Sequence, residues 1–308
     1  MNILKSNKLN FTVALLMGCS VAFAQKGATK DEPVGAPGDA PVNDQWKPSL
    51  VEDGTYDRVP HKGIPIPWQH VREADVLWSK KVWREIDTRE KQNIAFRYQG
   101  DENTGGGMFI EILIDGIKKG KIVAYSTYDD RFTSKLTKEQ VMESVSPKDT
   151  KMDVEDPLTG QMVSKVIHHD FDPNTVSKYR IREEWFFDRN QGKMLVRIVG
   201  IAPMKDEYDE NGNYKTTAPM FWLHYPDIRP TLANYEVFNP SNEVYRYTWD
   251  EFFEARQFSS KITKVSNPLD SRFEDVFGTD ARGKMESLYE SQQNATEIFN
   301  KEHDMWVY

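Results

Sequence analysis

Two apolar runs, Tyr179–Phe187 and Lys193–Ile201, flank Asp188-Arg189-Asn190-Gln191-Gly192, and this arrangement constrains the fold more than any other feature of the chain. Both runs are rich in aromatic and β-branched residues, and the residues between them are turn formers, as a hairpin requires. Gly192 can take the positive φ that closes such a turn. Alternation then sets Ile181, Glu183 and Trp185 on one face of the first strand and Arg182, Glu184 and Phe186 on the other. A polar acidic loop over Lys205–Thr217 leads to a third strand at Met220–Tyr225.

Around this centre the periodicity predicts helices. Ala74–Arg89 spaces Val76, Trp78, Val82, Trp83 and Ile86 along a helical stripe, and Met108–Ile117 is a second helix candidate. Thr137 with Gln140 three residues on has the form of a capping box, and Ile122–Thr127 reads as a strand. Thr231–Phe238 and Thr248–Phe258 read as short helices and Ala281–Glu302 as a longer one. Strands and helices without regular βαβ alternation point to an α+β fold, a small mostly antiparallel sheet with flanking helices. The mean hydropathy of -0.68 and 29 % charged residues argue against a large core, while 12 % aromatic residues supply contact area from few side chains.

The N-terminus has a different character. Lys5 and Lys8 precede an uncharged apolar stretch, Phe11–Ala24, that ends in Ala22-Phe23-Ala24, the pattern of a secretory signal peptide cleaved between Ala24 and Gln25. Leu16-Met17-Gly18-Cys19 also has the outline of a lipobox, in which Cys19 would be acylated; the apolar residues that continue after it favour the Ala24 site. Cleavage there removes the one cysteine and two lysines, so 38 basic residues face 48 acidic ones and the formal charge goes from -8 to -10. That charge disfavours general binding to nucleic acid. The expected organisation is a signal peptide over residues 1–24, an extended or disordered arm over 25–60, and an α+β domain over 61–308 with a candidate subdivision near 150–175. The arm is rich in Gly, Pro, Asp and Lys; Trp46 and Tyr56 are its anchor points if it docks on a partner rather than serving as a spacer.

The search for chemistry returns near misses. Gly278 to Lys284 has the glycine and lysine spacing of a phosphate-cradling loop, but Met285 stands where Ser or Thr would ligate magnesium. Glu207, Asp209, Asn211 and Gly212 imitate the start of a calcium loop whose closing position is Ala218 instead of glutamate. His168-His169-Asp170 with Asp172 offers ligand types, yet adjacent histidines point apart in a strand. Glu183 and Glu184 are adjacent and so face opposite ways, which rules them out as an acid–base pair in a strand. Gly105-Gly106-Gly107 reads as a loop before a helix. The reading assigns no catalytic residue, no cofactor and no metal.

The phrases KVWREIDTREKQN (81–93), DDRFTSKLTKEQV (129–141), REEWFFDRNQGKMLVRIVGIAP (182–203), MFWLHYPDIRPTLANYEVFNP (220–240) and WDEFFEARQFSSKITK (249–264) are similar to the gliding motility protein family GldN, also called PorN. The resemblance implies a non-enzymatic subunit of the type IX secretion system of Bacteroidetes. It implies a place in the periplasm, held at the outer membrane by a GldK/PorK-type lipoprotein with which it forms rings, and contact with the periplasmic part of a GldM/PorM-type motor protein. Because the partner carries the lipid in that family, cleavage after Ala24 is the expected processing. A ring subunit needs unlike patches for its neighbours, and Trp46, Trp68 and Trp306 are the expected partner-binding anchors, with Trp185 and Trp222 in the core. The alternatives are a lipid-anchored ligand-binding module, which needs acylated Cys19, and a hydrolase with carboxylates assembled in space.

Overall fold

The computed structural model describes residues 63–100, 107–146, 150–155, 162–167, 171–208, 214–242 and 244–305, all within the unit that runs from Asp44 to Tyr308. Its centre is the expected hairpin: β5 (Val176–Asp188) and β6 (Lys193–Tyr208) pair antiparallel, and Gly192 closes the turn at φ 62°. The Asp188 carboxylate accepts the Asn190 N–H at 2.9 Å, so the turn is held by its own first residue. One extra residue on β6, between the pairs Arg182–Gly200 and Glu183–Ile198, forms a bulge.

The sheet grows outward from this hairpin in the order β11-β1-β5-β6-β8-β2, with β7 also on β6. Its members are β1 (Val76–Asp87), β2 (Ala124–Tyr125), β7 (Tyr214–Pro219), β8 (Trp222–His224) and β11 (Lys261–Val265), and every pairing is antiparallel. Two small ladders lie apart from it: β3 (Thr150–Glu155) with β4 (Met162–Ile167), and β9 (Glu236–Val237) with β10 (Tyr247–Thr248). The helices are α1 (Phe109–Lys118), α2 (Lys138–Val145), α3 (Tyr225–Leu232), α4 (Trp249–Glu254), α5 (Phe273–Phe277) and α6 (Ala281–Met305). The α+β architecture with a mostly antiparallel sheet is therefore the observed one.

One face of the sheet carries the main core. Ile86, Tyr179, Ile181, Ile198 and Ile201 pack against α1, α3 and α4. Phe96 sits among Phe109, Tyr179, Trp249, Phe252 and Phe253 with ring centroids 5.2 to 5.9 Å apart, a cluster of edge and tilted contacts in the favoured range. α6 covers the outer strand. The Ile262 N–H of β11, which points away from β1, donates to Ser291 Oγ at 2.9 Å, and Ile298 packs with Val82, Ile262 and Val265. A sheet edge that would otherwise offer free backbone donors is closed in this way. The opposite face is covered near Trp83, Ala202 and Trp222 by the loop that carries Phe132.

Several expectations are corrected. Ala74–Arg89 is a strand over most of its length, not a helix: its even positions 76, 78, 82 and 86 also satisfy a period of two, and β5 supplies a partner from Val76 to Asp87. The charges that broke the alternation are absorbed in place, with Glu85 buried against Arg180 and Arg84 beside Glu183. Met220–Tyr225 contributes only three strand residues before α3 starts, and Thr231–Phe238 is not a helix. The helix comes earlier, with Pro226 in its first turn, where a missing N–H costs nothing. Lys205–Thr217 is mostly ladder, with Met204 to Tyr208 paired to Tyr214–Pro219. The capping box at Thr137 forms as the sequence predicts, and a second one forms at Thr248, with the Gln140 and Glu251 N–H groups donating to the two hydroxyls at 3.3 Å.

Candidate interaction surfaces

Trp68 lies on an irregular strap, the chain before β1, which the core grips by its backbone. Arg229 of α3 and Asp250 of α4 form a buried bidentate pair at 2.7 and 3.1 Å. Asp250 also accepts the Ile66 N–H at 2.7 Å, and Arg229 donates to the Ile66 carbonyl. A charged pair buried with its remaining hydrogen-bonding capacity used in this way avoids the desolvation penalty of an isolated one. The guanidiniums of Arg229 and Arg197 stack on the half-buried Trp68 ring, 4.4 and 5.1 Å from its centroid, and its indole N–H donates to Glu254 at 2.8 Å. Glu254 is pushed above the usual carboxylate range, by burial first, against the opposing pull of Trp68 and Arg229.

Beyond Trp68 the strap borders a cleft of about 600 Å³ whose walls include Val76, Leu77, Trp78, Phe186 and Pro226. Leu77 is more than half exposed there. A second surface, an apolar one, lies on α6, where Met285, Leu288 and Tyr289 occupy one face at spacings of three and four and stand 76, 58 and 75 % exposed. Phe299, further along the helix, is also exposed. The sequence reading took α6 only as a long helix and missed this stripe, whose polar neighbours lower its mean hydropathy.

The near misses resolve as structural devices where they can be seen. Gly278 takes φ 90° after α5, and Asp280 accepts the Gly283 N–H at 3.0 Å, which opens α6. A Cβ on Gly283 would stand 2.3 Å from the Phe277 carbonyl, so this glycine serves the close contact with α5. Glu183 and Glu184 do face opposite sides: Glu183 is fully buried between Arg84 and Arg256, whereas Glu184 reaches Ser79 at 3.4 Å. Asp172 caps its own 3-10 turn by accepting the Asn174 N–H at 3.0 Å. Trp222 is buried, as expected; Trp185 is only partly so and lies under Arg84 and Arg256.

Among the described residues no three His, Cys, Asp or Glu side chains converge as metal ligands, and no helix is long and apolar enough to cross a membrane. Cys19, Ala24, Gln25, Trp46, Tyr56, Gly105, Gly106, His168, His169, Asp170, Asp209, Asn211, Gly212 and Trp306 lie outside the described residues.

No curated protein matches the chain. The model of one family, described as gliding motility associated protein GldN, matches residues 71–307, a span that runs from just before β1 through the whole of α6. The chain belongs to the GldN family of gliding motility associated proteins.

Proposed function

We propose that the chain is a periplasmic structural subunit of the type IX protein secretion and gliding motility machinery. In this reading it assembles in rings with a GldK/PorK-type lipoprotein beneath the outer membrane and couples to the periplasmic part of a GldM/PorM-type motor protein. The family match over residues 71–307 carries the reading, because it spans the sheet and its helices and not one short motif. Two unlike surfaces support it: the apolar α6 stripe at Met285, Leu288 and Tyr289, and the mixed cleft beside Trp68 and Leu77, which Glu73, Glu184 and Arg197 also line. Head-to-tail closure of a ring needs two different patches on each subunit, and aromatic side chains are suited to fill them. The signal-peptide pattern ending at Ala24 supports export, and processing at that site agrees with a lipid carried by the partner.

Co-purification tests it. Tagged lipoprotein solubilised from membranes should bring down the chain in assemblies visible as rings by electron microscopy. Met285→Asp with Tyr289→Asp should lower recovery while leaving the thermal melt of the isolated chain unchanged. Recovery of the chain only as a free monomer, with no lipoprotein bound, would overturn the proposal. Mass spectrometry of the exported chain should find Gln25 at its start; an acylated Cys19 would instead mean that the chain anchors itself.

A further inference from the structure

A second cleft, of about 750 Å³, opens on the loop-covered face of the sheet. Six of its lining side chains are cationic, Lys81, Arg131, Arg180, Arg182, Lys264 and Arg272, against three aspartates. The aspartates are already engaged by the protein itself. Asp130 accepts the Trp83 indole N–H at 2.7 Å and lies 3.8 Å from Arg182. Asp129 accepts from the Thr133 hydroxyl at 2.8 Å and the Arg131 N–H at 3.2 Å, within its own loop. Asp270 pairs with Lys264 at 2.5 Å. Glu85, which Arg180 reaches from the lining of the cleft, is held by Arg180 at 2.6 Å and by Lys261 at 3.8 Å.

Positive charge is left over. Lys81, Arg131 and Arg272 form no ion pair within 4 Å among the described residues, although Arg131 feels the charge of Asp129 and Arg272 that of Asp275, Glu85 and Glu274. Arg180 is only 6 % exposed, and its Nε–H, like that of Arg182, is buried without an acceptor among the described residues. Arg272 is lowered by desolvation and then by the like charge of Arg180, against the opposing pull of Asp275, Glu85 and Glu274. All this sits in a chain whose formal charge is -8, so the cleft opposes the field of the rest of the molecule.

We propose that this cleft binds an acidic segment of a partner protein, an extended peptide whose carboxylates pair with Lys81, Arg131 and Arg272 along its length. The cations are spread over β1, β5, the 127–131 loop and the chain after β11, which suits several carboxylates on one strand better than a single small anion. Lys264, 4.3 Å above the Trp83 ring, and the Trp83 and Trp222 indoles give the cleft a rigid floor. This inference stands on the geometry alone and does not depend on which machine the chain serves.

Fluorescence anisotropy of a labelled deca-glutamate peptide, titrated with the folded full chain, tests it. The expected result is saturable binding that weakens steeply with salt and falls about tenfold or more in Lys81→Gln with Arg131→Gln. Both are exposed side chains, and an unchanged melt shows that the variant folds. The control pair Arg282→Gln with Lys284→Gln, on α6, should bind as the parent does. Absence of binding at low salt, an equal loss in both pairs, or displacement of the peptide by equimolar inorganic phosphate would each overturn the proposal.

Discussion

Glu183 has a fully buried carboxylate at ion-pair distance from two guanidiniums, Arg84 at 3.1 Å and Arg256 at 2.8 Å, and it accepts the Trp185 indole N–H at 2.9 Å. The two arginine contacts are ionic more than directional, since Arg84 Nε lacks hydrogen-bond alignment. Burial lowers Arg84 and the Glu183 charge opposes that shift. Glu183→Ala would leave Arg84 in the sheet and Arg256 in the turn after α4 without their carboxylate, with an expected loss of about 3 to 5 kcal/mol in urea denaturation. Glu184→Ala, on the other face, should stay within about 0.5 kcal/mol; similar losses for both would refute the assignment of faces. Glu85 makes a pH prediction. Burial pushes its carboxyl up, but Arg180, with help from Lys261, leaves it below the ordinary value of 4.5. A depressed carboxyl contributes stability that is present above the unfolded value and lost as pH falls through the folded one. The stability gap between parent and Glu85→Gln should therefore hold at neutral pH and shrink below about pH 4.5. A gap that stays constant on acidification would contradict this.

Among the elements, the bulge in β6 ties the sheet to the loop that walls the acidic-peptide cleft. A Cβ at Gly200 would stand 2.6 Å from Phe132 Cζ and 3.3 Å from the Leu223 carbonyl. Phe132 itself takes φ 60° and touches Tyr125 and Trp222 edge-on at 5.4 and 6.3 Å. Gly200→Ala should displace that ring at a cost of about 1 to 3 kcal/mol, read as a lower melting temperature and a shift in Trp222 fluorescence. A parent-like melt would show that Phe132 does not pin the loop. At this scale the sequence was readable wherever one local signal decided the outcome. Gly192 with its turn and Thr137 with its cap are such cases. It misled where two periods fitted the same residues, as at Val76, Trp78, Val82 and Ile86, because the partner strand that chooses between them lies about a hundred residues away.

For the molecule as a whole, the strap joins whatever precedes residue 63 to the core through α3 and α4. Trp68→Ala removes the indole donor to Glu254 and the ring on which Arg197 and Arg229 stack. The expected cost is about 2 kcal/mol, below that of a fully buried tryptophan because this one is half-exposed. Limited trypsin digestion should cut at Arg72 in the variant before it does so in the parent. Equal resistance would mean that the Arg229 and Asp250 grip on Ile66 holds the strap alone. The sequence marked Trp68 as a partner-binding anchor from its residue type, and nothing in its neighbourhood revealed its contacts within the chain to Arg197, Arg229 and Glu254, which arrive from three other elements.

What the sequence determined by itself was local or cumulative: the central hairpin, the cap at Thr137, the α+β class and the family. These follow from turn chemistry, alternation and long runs of characteristic residues, which act over a few positions or add along the chain. Tertiary structure alone decided that Val76–Asp87 is a strand, that Arg84, Glu85, Arg180 and Glu183 are buried in pairs, and that a surplus of positive charge collects on one face of an acidic protein. Each of these depends on which distant groups share a low-dielectric space, and a charge's partner there is set by the pairing of strands and not by its neighbours in the chain.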